Sequence, residues 1–204
     1  MIEIKNRYTG EVIVSGEYES IKDCLQRNRY AKLTGAYLTD ADIRDAKLTN
    51  ADLIDAKLTG ADLTDADLTG ANLTNADLRV AKLTGAFLTG ADLTGAKLTN
   101  ADLTNAKLTG ANLTDADLRG AKSTDSNGNE FEIKTVLQLL GFCYNVYFFS
   151  THMKIGCECH PYTDWWNFDD KRILEMDGKC ALNFWDKNKD LLRYMSRNLK
   201  EKVK

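Results

Sequence analysis

The chain has 204 residues, of which 27 are basic and 30 acidic, for a formal net charge of −3. That balance excludes a strongly basic nucleic-acid binder and an acidic tail, while 14 Gly and one Pro exclude collagen-like and Pro-rich disordered sequence. The deficit is local: residues 1–30 carry 5 acids and 5 bases, residues 123–204 carry 12 and 12, and residues 31–122 carry 13 and 10.

The start, Met1-Ile2-Glu3-Ile4-Lys5-Asn6, has no basic leader followed by an apolar run, so no secretory signal is expected. Five cysteines, four of them between Cys143 and Cys180, then read as reduced cytosolic thiols of a soluble intracellular protein. Ile2-Glu3-Ile4 and Val12-Ile13-Val14 predict the two strands of a hairpin around Tyr8-Thr9-Gly10. Ser20 is the expected N-cap of a helix carrying Ile21, Cys24 and Leu25. Residues 1–30 are placed as a cap over the segment that begins at Ala31.

From Ala31 to Ala121 an alanine falls on every fifth residue, and in the first 18 pentads Leu stands two places later, with Ile43 the exception. Thr follows in 14 of the 18, and the fifth place is Gly, Asp or Asn in 17, with Val80 the exception. A helix turns about 100° per residue and would scatter these leucines around its axis. A straight strand would send them to alternate faces, because five is odd. The pattern is consistent only if the chain turns a corner in every pentad, with Ala and Leu inward and Gly, Asp or Asn at the turn.

Periodicity leaves the number of sides open. Ala51-Asp52-Leu53, Ala71-Asn72-Leu73 and Ala101-Asp102-Leu103 resemble the A(D/N)Lxx signature of the pentapeptide-repeat family. The resemblance implies a mainly β fold, a right-handed quadrilateral β-solenoid over 31–122 with four pentads per coil. Coils spaced by one strand separation of about 4.8 Å would then build a rod roughly 22 Å long.

Composition shifts at Asp125-Ser126-Asn127-Gly128-Asn129, after which all three Trp are found. Residues 123–204 predict a small α+β domain. Val146–Phe149 and His152–Gly156 are its strands, Thr163 or Asp164 caps a short helix with Trp165 and Trp166, and helices cover Asp169–Met176 and Ala181–Lys202. The apolar run from Val136 to Phe149 has 14 residues. That is short of the roughly 20 needed to span a membrane, so it reads as core. The whole layout, with its Ile-Gly-Cys segment at 155–157, resembles proteins carried by bacteriophages and prophages.

Three sets of residues are candidate sites. Asp52, Asp55, Asp92 and Asp115 share one face if coils hold 20 residues. Family members that protect type II topoisomerases present an acidic rod resembling DNA, which is the analogy for this face. Against it stand the short rod, the Lys and Asn interrupting each acidic column, and the cross-strand charge ladder that Lys57, Asp77, Lys97 and Asp117 would form. The outward Thr columns are explained by strand propensity rather than ice binding. Tyr144, Tyr147, Trp165 and Trp166 form the second set, because exposed aromatics are frequent binding hot spots; burial in the domain core is the competing account.

His152, Cys157, Cys159 and His160 form the third set, four soft ligands in nine residues. Their spacing speaks against zinc, since alternation puts Cys157 and Cys159 on one strand face and His160 on the other. A Cys–His nucleophile pair among them would lack an orienting third residue. No cofactor and no catalytic residue are assigned. The expectation is a non-enzymatic scaffold that binds and inhibits or modulates a host protein, such as a defence or nucleic-acid-processing enzyme. The competing readings are a topoisomerase-binding DNA mimic and a metal-binding or catalytic C-terminal domain. Homodimerisation through the last coil or the C-terminal domain stays open.

Overall fold

The computed structural model describes residues 1–28, 31–134, 136–139 and 144–202, with side chains to 199. Residues 140–143 of the apolar run, Cys143 among them, and residues 29 and 30 of the expected cap lie outside the described residues.

Two strands, β1 (Ile2–Lys5) and β2 (Val12–Gly16), pair antiparallel. The helix α1 (Ile21–Arg27) follows, and the Ser20 hydroxyl accepts from the Asp23 N–H at 3.0 Å as its N-cap. Ile4, Val14, Cys24 and Leu25 are buried in one cluster with the first leucines of the repeat. The hairpin also pairs with the repeat directly. The Tyr37 N–H donates to the Lys5 carbonyl at 2.8 Å, and the Arg7 N–H donates to the Gly35 carbonyl at 2.7 Å.

Within the repeat every parallel bridge joins residues twenty apart, from Tyr37 with Lys57 to Asp102 with Lys122. Four pentads therefore make one turn of the coil. The rungs are regular: the Leu73 N–H donates to the Asp92 carbonyl at 2.7 Å, and the Asp92 N–H returns to the Ala71 carbonyl at 2.9 Å. Each corner closes with a four-residue turn, as from the Ala76 N–H to the Leu73 carbonyl at 2.9 Å. The third residue of that turn has positive φ, 57° at Asn75 and 66° at Gly70, the signature of a type II turn. This is why the fifth place takes Gly, Asn or Asp, the residues that tolerate left-handed backbone. Val80, at φ 53°, is the β-branched exception. The alanines and leucines stack into one core, nearly all of them fully buried.

The coil stops where Ser123 takes a leucine place. The strand β3 (Ala121–Thr124) begins a further turn, but β4 (Glu130–Ile133) folds back on it antiparallel. Then β5 (Val136–Leu139), β6 (Val146–Phe149), β7 (His152–Ile155) and β8 (Glu158–Pro161) form a meander in that order. One side of this sheet, with Val136, Tyr147, Phe149 and Cys159, joins the coil core. The other side, with Val146, Phe148 and Met153, packs under α2 (Tyr162–Asn167) and α3 (Asp170–Lys202). The sheet thus covers the open apolar end of the last coil. Gln138 completes the cover: its Oε1 accepts from the Leu113 N–H at 2.8 Å and its Nε2 donates to the Ala111 carbonyl at 2.9 Å. Those two bonds are the ones that a backbone unit of a further coil would make.

One expectation needs correction. Neither Thr163 nor Asp164 caps α2; Pro161 stands at the N-cap without a side-chain bond. The two expected C-terminal helices are both present within Asp170–Lys202, divided by the non-helical backbone of Asp177 and of Gly178 at φ 58°.

Candidate functional site

On the coil surface, the second place of each pentad sets what the fourth place does. Where it is Asp or Asn, its Oδ1 accepts from the backbone N–H two residues on and often from the Thr hydroxyl there. Asn72 takes the Thr74 N–H at 3.1 Å and its hydroxyl at 2.7 Å; Asp92 takes those of Thr94 at 3.0 and 2.6 Å. Where the fourth residue is Arg, the same carboxylate is held by a fork. Asp77 accepts from Arg79 Nε and Nη2, each at 2.7 Å, and Asp42–Arg44 and Asp117–Arg119 repeat the pattern. The Arg79 fork holds the Asp77 carboxyl down to about 2, against its partial burial. The Arg44 fork does the same for Asp42. The acids of the coil are thus largely engaged within their own pentads.

The four acids Asp52, Asp55, Asp92 and Asp115 do lie on one side, but they do not adjoin. Asn72 bridges to both Asp52 and Asp92, and Asn112 follows Asp92. Asp55 and Asp115 are corner residues at φ 55° and 57°, three coils apart in their column. The face carries separated charges rather than a continuous acidic stripe.

The four aromatic candidates divide. Tyr147 is fully buried and Trp165 is 1% exposed. Both belong to the core, because the sheet is covered on its two faces. The Tyr147 hydroxyl donates to the Ala111 carbonyl of the last coil, and burial pushes its pKa up. Trp165 Nε1 donates to the Met153 carbonyl at 2.7 Å. As binding residues these two are withdrawn. Tyr144 and Trp166 stay half-exposed. The Tyr144 hydroxyl donates to Asp177, while the Trp166 ring stacks on Trp185 at 5.8 Å with the Arg193 guanidinium 5.7 Å from its centroid.

Sequence reasoning passed over two aromatics on the coil itself. Tyr37 and Phe87 are 50% and 38% exposed, each under a lysine one coil on, with Lys57 Nζ at 5.0 Å and Lys107 Nζ at 4.4 Å. The signal was available: they are the only pentads whose second place is neither Asp, Asn nor Lys.

The Cys/His set is dispersed by the β7–β8 hairpin. His152 stacks on Phe131 at 3.8 Å, whereas His160 lies edge-on to Trp165 and Phe168 on the helical side. Cys159 joins the coil-side core, and burial raises its thiol to about 12, which leaves no thiolate at neutral pH. Cys157 sits in the turn, exposed. Among the described residues no three His, Cys, Asp or Glu side chains converge as a metal site.

The pentapeptide repeats model matches eight copies over residues 29–60, 61–100 and 86–122. Three solved structures illustrate the likeness. A pentapeptide repeat protein of the Arabidopsis thaliana thylakoid lumen is 32% identical over 46% of this chain and 66% of its own, at a TM-score of 0.45. One from the cyanobacterium Cyanothece 51142 is 41% identical over 47% of this chain and 65% of its own, at 0.44. One from Nostoc PCC 7120 is 37% identical over 50% of this chain and 70% of its own, at 0.20. In its repeat segment the chain belongs to the pentapeptide-repeat family. The chain spans just under two thirds of the first two relatives. No curated protein matches it. Among the described residues no helix is long and apolar enough to cross a membrane.

Proposed function

We propose that this chain is a non-enzymatic binding scaffold that engages a host protein in the cytoplasm through the coil face bearing Asp52, Asp55, Asp92 and Asp115, together with Tyr144 and Trp166. In this reading the coil is the right-handed quadrilateral β-solenoid of its family over 31–122, between a cap at 1–30 and a closing unit at 123–204. The observation that carries it is the internal hydrogen bonding of the outward side chains, such as Asn72 to Thr74 and Asp92 to Thr94. Side chains already fixed in place lose little conformational entropy when a partner covers them, so a rigid ladder suits a stoichiometric binder. The likeness of the layout to phage-borne proteins makes inhibition or modulation of a host defence or nucleic-acid-processing enzyme the favoured role.

The test is capture from a nuclease-treated bacterial lysate with the full chain, with the fourfold variant Asp52→Asn, Asp55→Asn, Asp92→Asn, Asp115→Asn, and with Trp166→Ala. A stoichiometric partner lost with either variant supports the reading and assigns the surface. A partner retained by both would move the site elsewhere, and no partner at all would overturn the scaffold role.

A further inference from the structure

The coil side that carries Lys47, Asp67, Phe87 and Lys107 ends against the β7–β8 hairpin, leaving a cleft of about 330 Å³ between them. The coil wall of the cleft belongs to a pentad without an acidic or amide second place, as the Lys57, Lys82 and Lys97 pentads of other sides also are. Phe87 and Lys107 occupy second places and offer no acceptor, so the hydroxyls of Thr89 and Thr109 are not claimed within their own pentads. Lys107 Nζ lies 4.4 Å from the Phe87 centroid. Across the cleft, Lys154 is half-buried on β7, with Nζ donating to the Cys157 carbonyl at 3.2 Å. Burial lowers its pKa, and an anion in the cleft would restore it.

The nearby carboxylates are committed elsewhere. Asp125 lines the cleft, but its side chain is 1% exposed. Its oxygens accept from the Asn127 N–H at 2.9 Å and from Asn129 N–H and Nδ2 at 2.9 and 3.0 Å, with His152 Nε2 at 3.9 Å. Glu158 Oε2 is held by His160 Nε2 at 2.7 Å and Arg172 Nη2 at 3.3 Å. Among the described residues no carboxylate pairs with Lys107 or Lys154.

We propose that this cleft binds a phosphorylated small molecule, its phosphoryl oxygens accepting from Lys107 and Thr109 on the coil wall, Thr89 beside them, and Lys154 opposite. Donors approaching from two walls suit a tetrahedral group with several acceptor oxygens better than a planar carboxylate, and lysine serves as a point-charge phosphate binder. The volume lies within the range of small-ligand pockets, about 300–1,000 Å³.

The test titrates the full chain with inorganic phosphate and, separately, phenyl phosphate, following backbone amide NMR shifts. Saturable shifts at Thr89, Lys107 and Thr109 are expected, and binding should weaken at least about tenfold in Lys107→Met and in Lys154→Met. Lys97→Met, on another side of the coil, should bind like the parent. Phosphate should also slow alkylation of Cys157 by iodoacetamide while leaving Cys180 unchanged, both being exposed thiols. Tighter binding of phenyl phosphate than of phosphate would show that the ligand extends beyond its phosphoryl group; equal binding would support a site for the free anion alone and overturn the small-molecule part. No saturable shift, equal weakening in Lys97→Met, or equal binding of benzoate would overturn the phosphoryl assignment. Lys107 is exposed, so its variant keeps the test decisive even if Lys154→Met does not fold.

Discussion

Asn100 Oδ1 lies 2.1 Å from the point where a Cβ on Gly120 would stand, one coil further along the same corner. Asp65 over Gly85, also at 2.1 Å, is a second case. The amide or carboxylate of one coil thus fills the space left by the glycine of the next. Gly85→Ala is therefore expected to destabilise through both the clash and the left-handed backbone at φ 68°, the latter alone costing roughly 1–2 kcal/mol. Gly90→Ala, where nothing lies within 4 Å, should show only the backbone part. Adding Asp65→Gly to Gly85→Ala should recover the difference in a chemical-denaturation double-mutant cycle.

Val80 is the one β-branched residue at a corner, 53% exposed and at φ 53°. It makes no core contact that would offset this strain. Val80→Asn should raise stability by about 1 kcal/mol, on the usual left-handed penalty. A lower unfolding midpoint in the variant would show that the valine side chain contributes something the corner geometry does not account for.

Gln138 supplies both a donor and an acceptor to the last coil. Gln138→Leu keeps the side-chain size and leaves the Leu113 N–H and one bond to the Ala111 carbonyl unmade. Each group stranded without a partner costs about 1–3 kcal/mol. Because the Tyr147 hydroxyl also donates to Ala111, the loss is expected at the lower end for that carbonyl. Hydrogen exchange should accelerate first at Leu113. Uniform exchange across the coil would instead indicate that the end is held by apolar contact alone.

Acid should destabilise the protein. Asp77 has its folded pKa lowered to about 2, and Asp62, Asp67, Asp102 and Asp125 are shifted in the same direction. A carboxyl whose folded pKa lies below its unfolded value, near 3.9, contributes stability above that value and loses it as pH falls toward the folded one. His152 acts in the same sense at higher pH: burial lowers its pKa, so protonation below about 6.5 opposes folding. Stability should decline from near pH 6, and more steeply between about pH 4 and 2. Arg79→Met, which removes the fork on Asp77, should flatten the lower part of that decline; an unchanged profile would assign the acid response to the other carboxyls.

The pentads were legible in the sequence because each place has a single job: Ala51 and Leu53 fill the core, Asp52 accepts from its own pentad, and Asp55 turns the corner. The N-terminal hairpin and the strands at 146–149 and 152–155, the latter one residue shorter than expected, were legible for similar local reasons. The burial of Tyr147 and Trp165 was not. Alternation along β6 distinguishes its two faces, but both faces are covered, one by the coil and one by the helices. The start of α2 was misread because Pro161 takes the N-cap place, and the polar Thr163 and Asp164 fall inside the helix. The cleft had no mark of its own in the sequence, because Lys also takes the second place at Lys57, Lys82 and Lys97, and only the fold brings Lys154 to the same cleft as Lys107.

The twenty-residue register also ties length to orientation. Removing residues 51–70, one full coil, would bring Ala71 into the place of Ala51 and shorten the rod without rotating its ends. Removing a single pentad would turn the C-terminal sheet by about a quarter revolution relative to the N-terminal hairpin, on the four-pentad coil that the bridges define. Any partner that touches both ends at once would read that angle, so coil number and terminal phase form a discrete set of shapes available to such a chain.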